Sequence, residues 1–372
     1  MRVLLYIHNL QIGGAEKIVS DYSVELKKKG IEIALLVNNL TDSFFERRVR
    51  EHKIRIFTLN NPFYKKPVLG FFAKVYDKFI GRRIRINRII SNFQPDIIHI
   101  NTLTDNIYGV RFPVDKMAFT FHSDVSRYLS TNSRRNRKCL EKMAKKGLWF
   151  FALTTKMKDD IFKVYNTDKI QIIPNAVSIE SLKLSAYRKD CFLEQIGVPI
   201  NSFVVCQIGR FDPVKNHEKT ISVFKEIHKR IANSYLLLIG GDSGERINKI
   251  KSLANSFGLG DYVRFLGIRE DAPHILGCVD CMILPSYSES FSIVMIEAQS
   301  MNIRCIASDR IPTDVICNDN CFALSLSESD DCWASMVLSK CTSKNERDIK
   351  EFDMPFVVAK IISSYLKMLG VQ

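Results

Sequence analysis

Two carboxylates, Glu289 and Glu297, lie eight positions apart in the segment Pro285–Met301. An apolar run ends just before this segment, so Glu289 is predicted in a loop at the carboxyl end of a β-strand. Glu297 is predicted one to two turns inside the helix that the apolar pattern from Ile293 indicates. Backbone N–H groups at such a helix start bind phosphate. A carboxylate just inside the helix is placed to accept hydrogen bonds from the two hydroxyls of a ribose.

A second polar loop, GRFDPVKNH (209–217), follows the apolar run 203–209 and carries Arg210 and Lys215. A planar guanidinium and a mobile ammonium side by side suit a diphosphate, whose charge must be neutralised when it departs as a leaving group. Alone, each cation would be typical of a solvated loop. Together with the Glu289 loop they favour a binding site for a phosphate ester.

Two further loops contain residues that such a site could use. His122 ends the apolar run 117–122, where an imidazole can hydrogen-bond a substrate hydroxyl, although a lone histidine is more often structural. Gly13 and Gly14 follow the first apolar run and allow a positive φ and the close approach of a ligand to the backbone. They do not form the G-x-G-x-x-G pattern of dinucleotide sites, so a tight turn alone explains them equally well.

No pattern in the sequence requires a metal ion or a redox centre. Cys278 and Cys281 form a C-x-x-C pair, but no second pair lies at metal-ligand spacing, so both are interpreted as small buried hydrophobic residues. Arg210, Lys215 and the helix start can supply the electrostatic stabilisation of a leaving group. We therefore expect no metal and no other cofactor.

Short apolar runs, each followed by a helical pattern, position these loops. Such alternation predicts α/β domains in which helices flank a parallel, doubly wound sheet. Seven runs lie in the first half of the chain, at 3–8, 31–37, 54–59, 96–100, 117–122, 149–154 and 169–174. Six lie in the second half, at 203–209, 235–240, 262–267, 281–285, 303–308 and 321–325. Two such sheets facing each other would enclose a cleft at the carboxyl ends of their strands.

The length of 372 residues also favours two domains. We predict an N-terminal Rossmann-like domain over 1–175 and a second one over 176–354. Residues 175–201 are predicted to form an irregular linker. The last apolar pattern has helical spacing with a proline near its start, and we predict that this helix, 355–372, crosses back to the first domain.

The net charge of +14 is carried by the first half of the chain. Residues 1–175 hold 32 Lys and Arg against 16 Asp and Glu, whereas residues 176–372 hold 22 against 24. Two segments, 64–88 and 127–146, contribute much of the excess, and the first mixes its cations with apolar residues. This composition is typical of contact with an anionic membrane surface, but a solvated face explains it as well. Nucleic-acid binding is favoured less, because no DNA- or RNA-binding motif accompanies the charge.

The sequence begins without the apolar core and small-residue cleavage site of a signal peptide. No apolar run approaches the length of a membrane span, about 20 residues. We therefore expect a cytoplasmic protein, attached at most peripherally to the inner face of the membrane.

Five motifs, taken in order, resemble those of the family 4 retaining glycosyltransferases, which have the GT-B fold of two facing Rossmann-like domains. They span nearly the whole chain: GGAE (13–16), FHSD (121–124), IPNAV (173–177), GRFDPVKNH (209–217) and ESFSIVMIE (289–297). The last of them is the E-x7-E motif. It is common by chance when alone, but its position after the Arg/Lys loop makes it specific.

The resemblance implies that the second domain binds a nucleotide-sugar donor. Arg210 and Lys215 would hold the diphosphate, Glu297 the ribose and Glu289 the sugar. The catalytic residues that it implies are His122, Arg210, Lys215 and Glu289, and the donor-binding residues are Gly13, Gly14, Ser290, Phe291, Ser292, Ile293 and Glu297.

One position departs from the family pattern. The family often has glycine after the first glutamate of the motif, whereas this chain has Ser290. A serine restricts the approach of a ligand to the backbone and adds a hydroxyl, so the identity of the sugar is not carried over.

Residues and resemblance together predict a metal-independent hexosyltransferase that uses a UDP- or GDP-type sugar donor. The resemblance implies that it retains the anomeric configuration. The expected acceptor is a hydroxyl of a lipid-linked or saccharide precursor in the synthesis of capsule, exopolysaccharide or O-antigen. A nucleotide-sugar epimerase on the same fold is an alternative, and a basic nucleic-acid-binding protein is a less favoured one. A nicotinamide-dependent oxidoreductase is disfavoured, because G-x-G-x-x-G is absent.

Overall fold

A computed structural model describes residues 1–11, 13–60, 76, 80–102, 107–184, 187–241, 244–340 and 348–371. The chain forms two compact units. The first unit comprises Met1–Asn175 and Met354–Gln372, and the second comprises Ala176–Asp353. The predicted basic segment 64–88 lies partly outside the described residues, at 64–75 and 77–79.

Each unit is built on one sheet of parallel strands. The first sheet contains β1 (Arg2–Ile7), β2 (Glu32–Val37), β3 (Arg55–Thr58), β4 (Ile97–Ile100), β5 (Met117–Thr120), β6 (Trp149–Ala152) and β7 (Ile170–Ile172), in the order β3-β2-β1-β4-β5-β6-β7. The second contains β8 (Phe203–Ile208), β9 (Ser234–Ile239), β10 (Val263–Gly267), β11 (Cys281–Leu284), β12 (Arg304–Ser308) and β13 (Cys321–Leu324), in the order β10-β9-β8-β11-β12-β13.

Helices follow most of the strands. Those of the first unit are α1 (Gly14–Lys28), α2 (Phe44–Glu51), α3 (Arg82–Phe93), α4 (Val125–Thr131), α5 (Arg134–Ala144) and α6 (Thr155–Tyr165). Those of the second are α7 (Ile179–Leu184), α8 (Lys189–Gln195), α9 (His217–Arg230), α10 (Glu245–Ser256), α11 (Ala272–Ile275), α12 (Ile293–Ser300) and α13 (Asp330–Leu338), and α14 (Met354–Met368) returns to the first unit. In the described ranges, every helix is too short or too polar to cross a bilayer.

The strands form where the apolar runs predict them, because parallel strands covered by helices are buried on both faces. In β1, for example, Val3, Leu4, Tyr6 and Ile7 are fully buried. All thirteen predicted runs lie in the two sheets. The predicted α/β class with two doubly wound sheets is therefore confirmed.

The predicted irregular linker at 175–201 is wrong in part, because it contains α7 and α8. Each of these helices has six or seven residues and only two buried apolar side chains. Such helices are too short to show the repeating apolar pattern by which a longer helix is identified.

Each sheet contains one place where the strand order reverses, between β1 and β4 in the first and between β8 and β11 in the second. Loops that leave two such strands diverge toward opposite faces of the sheet and open a crevice at the carboxyl ends. In the second sheet these are the loops that carry Arg210 and Glu289. In the first they are the loops that begin at His8 and Asn101.

Gly240 follows β9 and lies against the end of β8. Its φ is +152°, and a Cβ at this position would lie 1.9 Å from the carbonyl oxygen of Gly209. The N–H of Gly209 donates to the carbonyl of Ile239 at 2.8 Å, which keeps the two strand ends together. Only glycine permits this approach, so Gly240 positions the loop that starts at Arg210.

We expect Gly240→Ala to lower the free energy of unfolding by about 2 kcal/mol or more, because a backbone oxygen occupies the place of the added methyl. Gly197→Ala is the matched control: Gly197 has a φ of +65°, but its Cβ position has nothing within 4 Å. That variant should lose only about 1 kcal/mol, the cost of a left-handed non-glycine residue. Denaturant unfolding followed by circular dichroism measures both, and equal losses would contradict the packing argument.

Candidate active site

Lys215 and Glu289 form an ion pair at the point where the strand order of the second sheet reverses. The Lys215 Nζ lies 2.6 Å from the Glu289 Oε1, although the residues are 74 positions apart. The hydroxyl of Ser286 donates to the same carboxylate oxygen at 2.7 Å. The two loops are also joined by the N–H of Tyr287, which donates to the carbonyl of Val214 at 2.8 Å. The lysine predicted for phosphate and the glutamate predicted for sugar therefore lie in one cluster.

This ion pair is largely buried, with side-chain exposures of 20% for Lys215 and 8% for Glu289. Burial of a charge is costly unless a partner compensates it, and each of these residues supplies that partner to the other. An ammonium carries three donors, and among the described residues only Glu289 receives one. Lys215 can therefore bind an anionic ligand without giving up Glu289.

Side-chain hydrogen bonds hold the turn that carries Lys215. The Asp212 carboxylate accepts from the N–H of Val214 at 3.0 Å, and the Gln207 amide donates to the carbonyl of Lys215 at 2.7 Å. Arg210 is exposed at the start of this turn. It has no ion pair among the described residues, so its guanidinium is available to a ligand.

The N-terminus of α12 presents further donors. Its N-cap, Ser292, has a φ of +67° and makes no capping hydrogen bond. The Ser292 hydroxyl is buried and finds no hydrogen-bond partner in the described part of the chain. Buried hydroxyls are almost always paired, so a ligand oxygen at this helix start would satisfy both the hydroxyl and the backbone N–H groups. Glu297 lies in the second turn of α12 and is buried.

The unusual backbone of this loop falls at Ser292 and not at Ser290. Ser290 has no positive φ, so a serine there needs no glycine-like conformation. Phe291 is buried and packs edge-to-face on Phe352, with ring centroids 5.6 Å apart. The Phe291 side chain anchors the loop in the core, and a ligand can reach this residue only through its backbone.

His122 follows β5 in the first unit, and its Nε2 lies 3.0 Å from the Oδ1 of Asn101. Burial lowers the pKa of His122 to about 4, so the imidazole is neutral at pH 7. Its proton lies on Nε2 if the Asn101 oxygen accepts from it, which makes Nδ1 a hydrogen-bond acceptor. The predicted contact with a sugar hydroxyl would then be one in which the hydroxyl donates.

His99, on β4, connects β5 to the last helix by two hydrogen bonds. Its Nε2 lies 2.7 Å from the Thr120 Oγ1 and its Nδ1 lies 2.7 Å from the hydroxyl of Tyr365. Burial lowers the pKa of His99 to about 3. Repulsion from the positive charge that His122 gains in acid is the smaller cause. Since Tyr365 belongs to α14, this bridge ties the last helix to the strand ends that carry Asn101 and His122.

Gly13 and Gly14 do not adopt the positive φ that a glycine pair allows. Gly13 is the N-cap of α1 in an extended conformation, Gly14 is the first helical residue, and neither has a positive φ. A Cβ at Gly13 would instead meet the Glu16 carboxylate, at 2.3 Å. The expectation of a left-handed turn here is wrong, and the preceding Ile12 lies outside the described residues.

The C-x-x-C pair is buried and its thiols are free. Burial raises the pKa of both thiols, that of Cys278 to about 11. Both are therefore protonated at pH 7, as small buried hydrophobic residues would be. Within the described ranges, no His, Cys, Asp and Glu side chains gather into a group that could hold a metal ion.

The structure thus brings Lys215 and Glu289 together in the second unit, beside the Arg210 turn and the start of α12. His122, Gly13 and Gly14 belong to the first unit. Sequence reasoning missed Ser286 and Asn101, although each is the first polar residue after an apolar run, and this signal could have identified them. It also missed Gln207, whose position inside an apolar run gave no such signal.

Two family matches cover most of the chain. Residues 12–181 match the family described as Glycosyltransferase Family 4, and residues 190–329 match the family described as Glycosyl transferases group 1. The chain belongs to the family 4-like glycosyltransferases, as its five motifs predict.

The individual relatives share only part of their length and a quarter to a third of their aligned residues with this chain. Over 144 residues the chain is 33% identical to the UDP-Gal:alpha-D-GlcNAc-diphosphoundecaprenol alpha-1,3-galactosyltransferase of Escherichia coli, a match that covers 38% of this chain and 37% of the relative. Over 171 residues it is 26% identical to the putative glycosyltransferase EpsF of Bacillus subtilis, covering 46% and 44%. These matches span less than half the length of either relative.

Among solved structures, the chain is similar to Anabaena Alr3699/HepE in complex with UDP and glucose. The TM-score is 0.78 with 19% sequence identity, covering 99% of this chain and 100% of the other. This similarity shows the fold, and it confirms the predicted GT-B class.

We expect the stability of the protein to fall as the pH drops from about 6.5, the ordinary pKa of histidine, toward 4. Below 6.5 the unfolded chain binds protons that buried His99 and His122 do not bind, so acid favours unfolding. Each histidine should contribute a slope of up to about 1.4 kcal/mol per pH unit. Urea unfolding across this range should show a shallower slope in His122→Asn than in the wild type. An unchanged slope would contradict the burial of a neutral imidazole.

Proposed function

We propose that this protein is a retaining glycosyltransferase that moves a sugar from a UDP-type nucleotide-sugar to an acceptor hydroxyl. The observation that carries the proposal is the buried Lys215–Glu289 pair beside the uncapped N-terminus of α12. It combines a cation for a diphosphate with a carboxylate for sugar hydroxyls. The family supports glycosyl transfer. A UDP-type donor is supported by the names of the E. coli relative and of the Anabaena complex.

In this proposal, Arg210, Lys215 and the N–H groups at the start of α12 bind the diphosphate and neutralise the charge that grows on it. Glu297 accepts hydrogen bonds from the two ribose hydroxyls. Glu289 and the backbone of 290–293 bind the sugar, and neutral His122 accepts a hydrogen bond from one of its hydroxyls.

The reaction breaks the bond between the anomeric carbon and the diphosphate oxygen and forms a bond to the acceptor oxygen. The acceptor proton passes to the departing phosphate oxygen, which balances the step without an enzymatic base. We propose attack from the face that the diphosphate leaves, which retains the anomeric configuration. We also propose that the protein's own cations perform the stabilisation that other transferases obtain from a metal ion.

For the acceptor, we propose a lipid-linked or saccharide precursor of a cell-surface polysaccharide, used at the cytoplasmic face of a membrane. The lipid diphosphate in the name of the E. coli relative and the basic first half of the chain support it. The protein should co-sediment with anionic vesicles at low salt, because clustered Lys and Arg side chains attract anionic lipid. Indifference to such vesicles would overturn the membrane part of the proposal.

A thermal-shift panel of UDP, GDP, ADP and their sugars tests the donor. UDP and a UDP-sugar should raise the melting temperature, because a ligand that binds only the folded state stabilises it. Glu297→Ala should weaken UDP binding about tenfold or more, since charge-assisted hydrogen bonds to the ribose are lost. Glu270→Ala removes an exposed carboxylate of the same unit and should bind normally.

Turnover tests the leaving-group role. Lys215→Ala should lower kcat about 100-fold, the usual effect of removing one group that stabilises developing charge. The control variant Lys249→Ala changes an exposed lysine of the same unit and should leave kcat unchanged. Wild-type turnover should survive EDTA. Normal activity of a folded Lys215→Ala would refute the site, and a new sugar nucleotide formed from the donor alone would indicate the epimerase instead.

A further inference from the structure

An open cavity of about 450 Å³ lies in the first unit, and its lining is dominated by cations. It is formed by one side of α5 and by one tyrosine of a preceding loop. The lining residues are Tyr108, Arg134, Arg135, Lys138, Cys139 and Lys142. None of them has a role in the proposed sugar transfer.

The helix places these cations on one face. Arg134, Lys138 and Lys142 follow one another at intervals of four residues, which stacks their side chains along α5. The opposite face of the helix is occupied by buried Leu140 and Met143, so its apolar side packs in the core. The cationic face is therefore fixed in place by the fold and is open to a ligand.

Within the described ranges, three of these cations lack the ion-pair partners that a helix surface usually provides. In the described part of the chain, Arg134, Arg135 and Lys138 form no ion pair, and the carboxylate of Glu141 on the same helix does not line the cavity. Like charges at intervals of four residues repel each other along a helix. Arg134 and Arg135 also lie in the first turn, where the helix dipole disfavours cations and favours anions. An anion bound in the cavity would relieve both conflicts.

The neighbouring loop extends the same surface. The Nζ of Lys142 lies 5.8 Å from the ring centroid of Tyr108, which gives the cavity an aromatic wall. Next to Tyr108, the guanidinium of Arg83 on α3 lies 3.1 Å from the Cβ position of Gly109. Two basic segments that are far apart in the sequence are thus joined through this loop.

We propose that this cavity binds a phosphate-bearing group, either a phosphomonoester or a diphosphate. Two guanidinium groups and two ammonium groups around one space match the several oxygens and multiple charge of such a group better than a single carboxylate. The phosphate can belong to a lipid headgroup or to a free ligand, and both present the same chemistry to the cavity. The proposal does not rest on glycosyl transfer, because none of the lining residues belongs to the proposed donor site, whose diphosphate-binding residues lie in the second unit.

Binding of inorganic pyrophosphate, measured by calorimetry at low salt, is the first test. In a Lys215→Ala background, which removes the proposed diphosphate site of the second unit, Arg134→Ala/Lys138→Ala should bind it about tenfold or more weakly, because charge-assisted hydrogen bonds are lost. The control Lys145→Ala/Lys146→Ala removes the same charge next to the same helix outside the cavity, from exposed residues, and should bind normally. Lys215→Ala separates the two sites: it should keep the cavity binding even if the proposed donor site fails.

Sedimentation with phosphatidylcholine vesicles, with and without phosphatidic acid, identifies the source of the phosphate. Loss of binding to phosphatidic acid in the cavity variant but not in the control would assign a lipid headgroup. A difference between these variants with pyrophosphate alone would assign a free ligand. Equal behaviour of the cavity variant and the control in both assays, or no binding of either probe by the wild type, would overturn the proposal. Circular dichroism verifies that both double variants are folded.

Discussion

The candidate site depends on the parallel pairing of β8 with β11. Cys281 and Met282 pair with Val205 and Cys206, which makes these strands neighbours although two other strands and their helices lie between them in the chain. Because the strand order reverses here, the two following loops leave in opposite directions and face each other only near their strand ends. Lys215 and Glu289 meet at that place. Without this pairing, each would be a buried charge without a partner, which a fold does not tolerate.

Stability alone does not explain why a lysine and a glutamate occupy this place. A buried ion pair roughly balances its desolvation cost, and apolar residues of similar size often replace one without loss. The start of α12 adds two more costs close by: the left-handed Ser292 and its buried hydroxyl, which has no partner among the described residues. Strained backbone and unsatisfied polar groups persist where a ligand uses them. Their concentration at the reversal of strand order, where α/β sheets bind ligands, supports a binding site independently of any motif.

Much of this architecture could be predicted because buried parallel strands are continuous apolar runs, and polar residues that end such runs must lie at one edge of a sheet. That reasoning placed Arg210, Lys215, Glu289 and His122 at strand ends. It could not pair Lys215 with Glu289, since nothing in a single sequence gives the order of the strands. It also attributed backbone freedom to the wrong residues. Gly13 and Gly14 are conspicuous as a pair but adopt ordinary conformations, whereas the left-handed position falls on Ser292, where the residue type gives no signal.

The candidate residues of the two units differ in charge, and this difference fits the different ligand groups that we propose for them. The second unit pairs its largely buried Lys215 with the carboxylate of Glu289. The first unit keeps His122 neutral by burial, with Asn101 at its Nε2. A protonated imidazole could only donate hydrogen bonds and would attract phosphate, whereas a neutral one accepts from a hydroxyl. Under the proposed function, desolvation therefore suits His122 to a hydroxyl of the substrate, whereas Lys215 suits a phosphate.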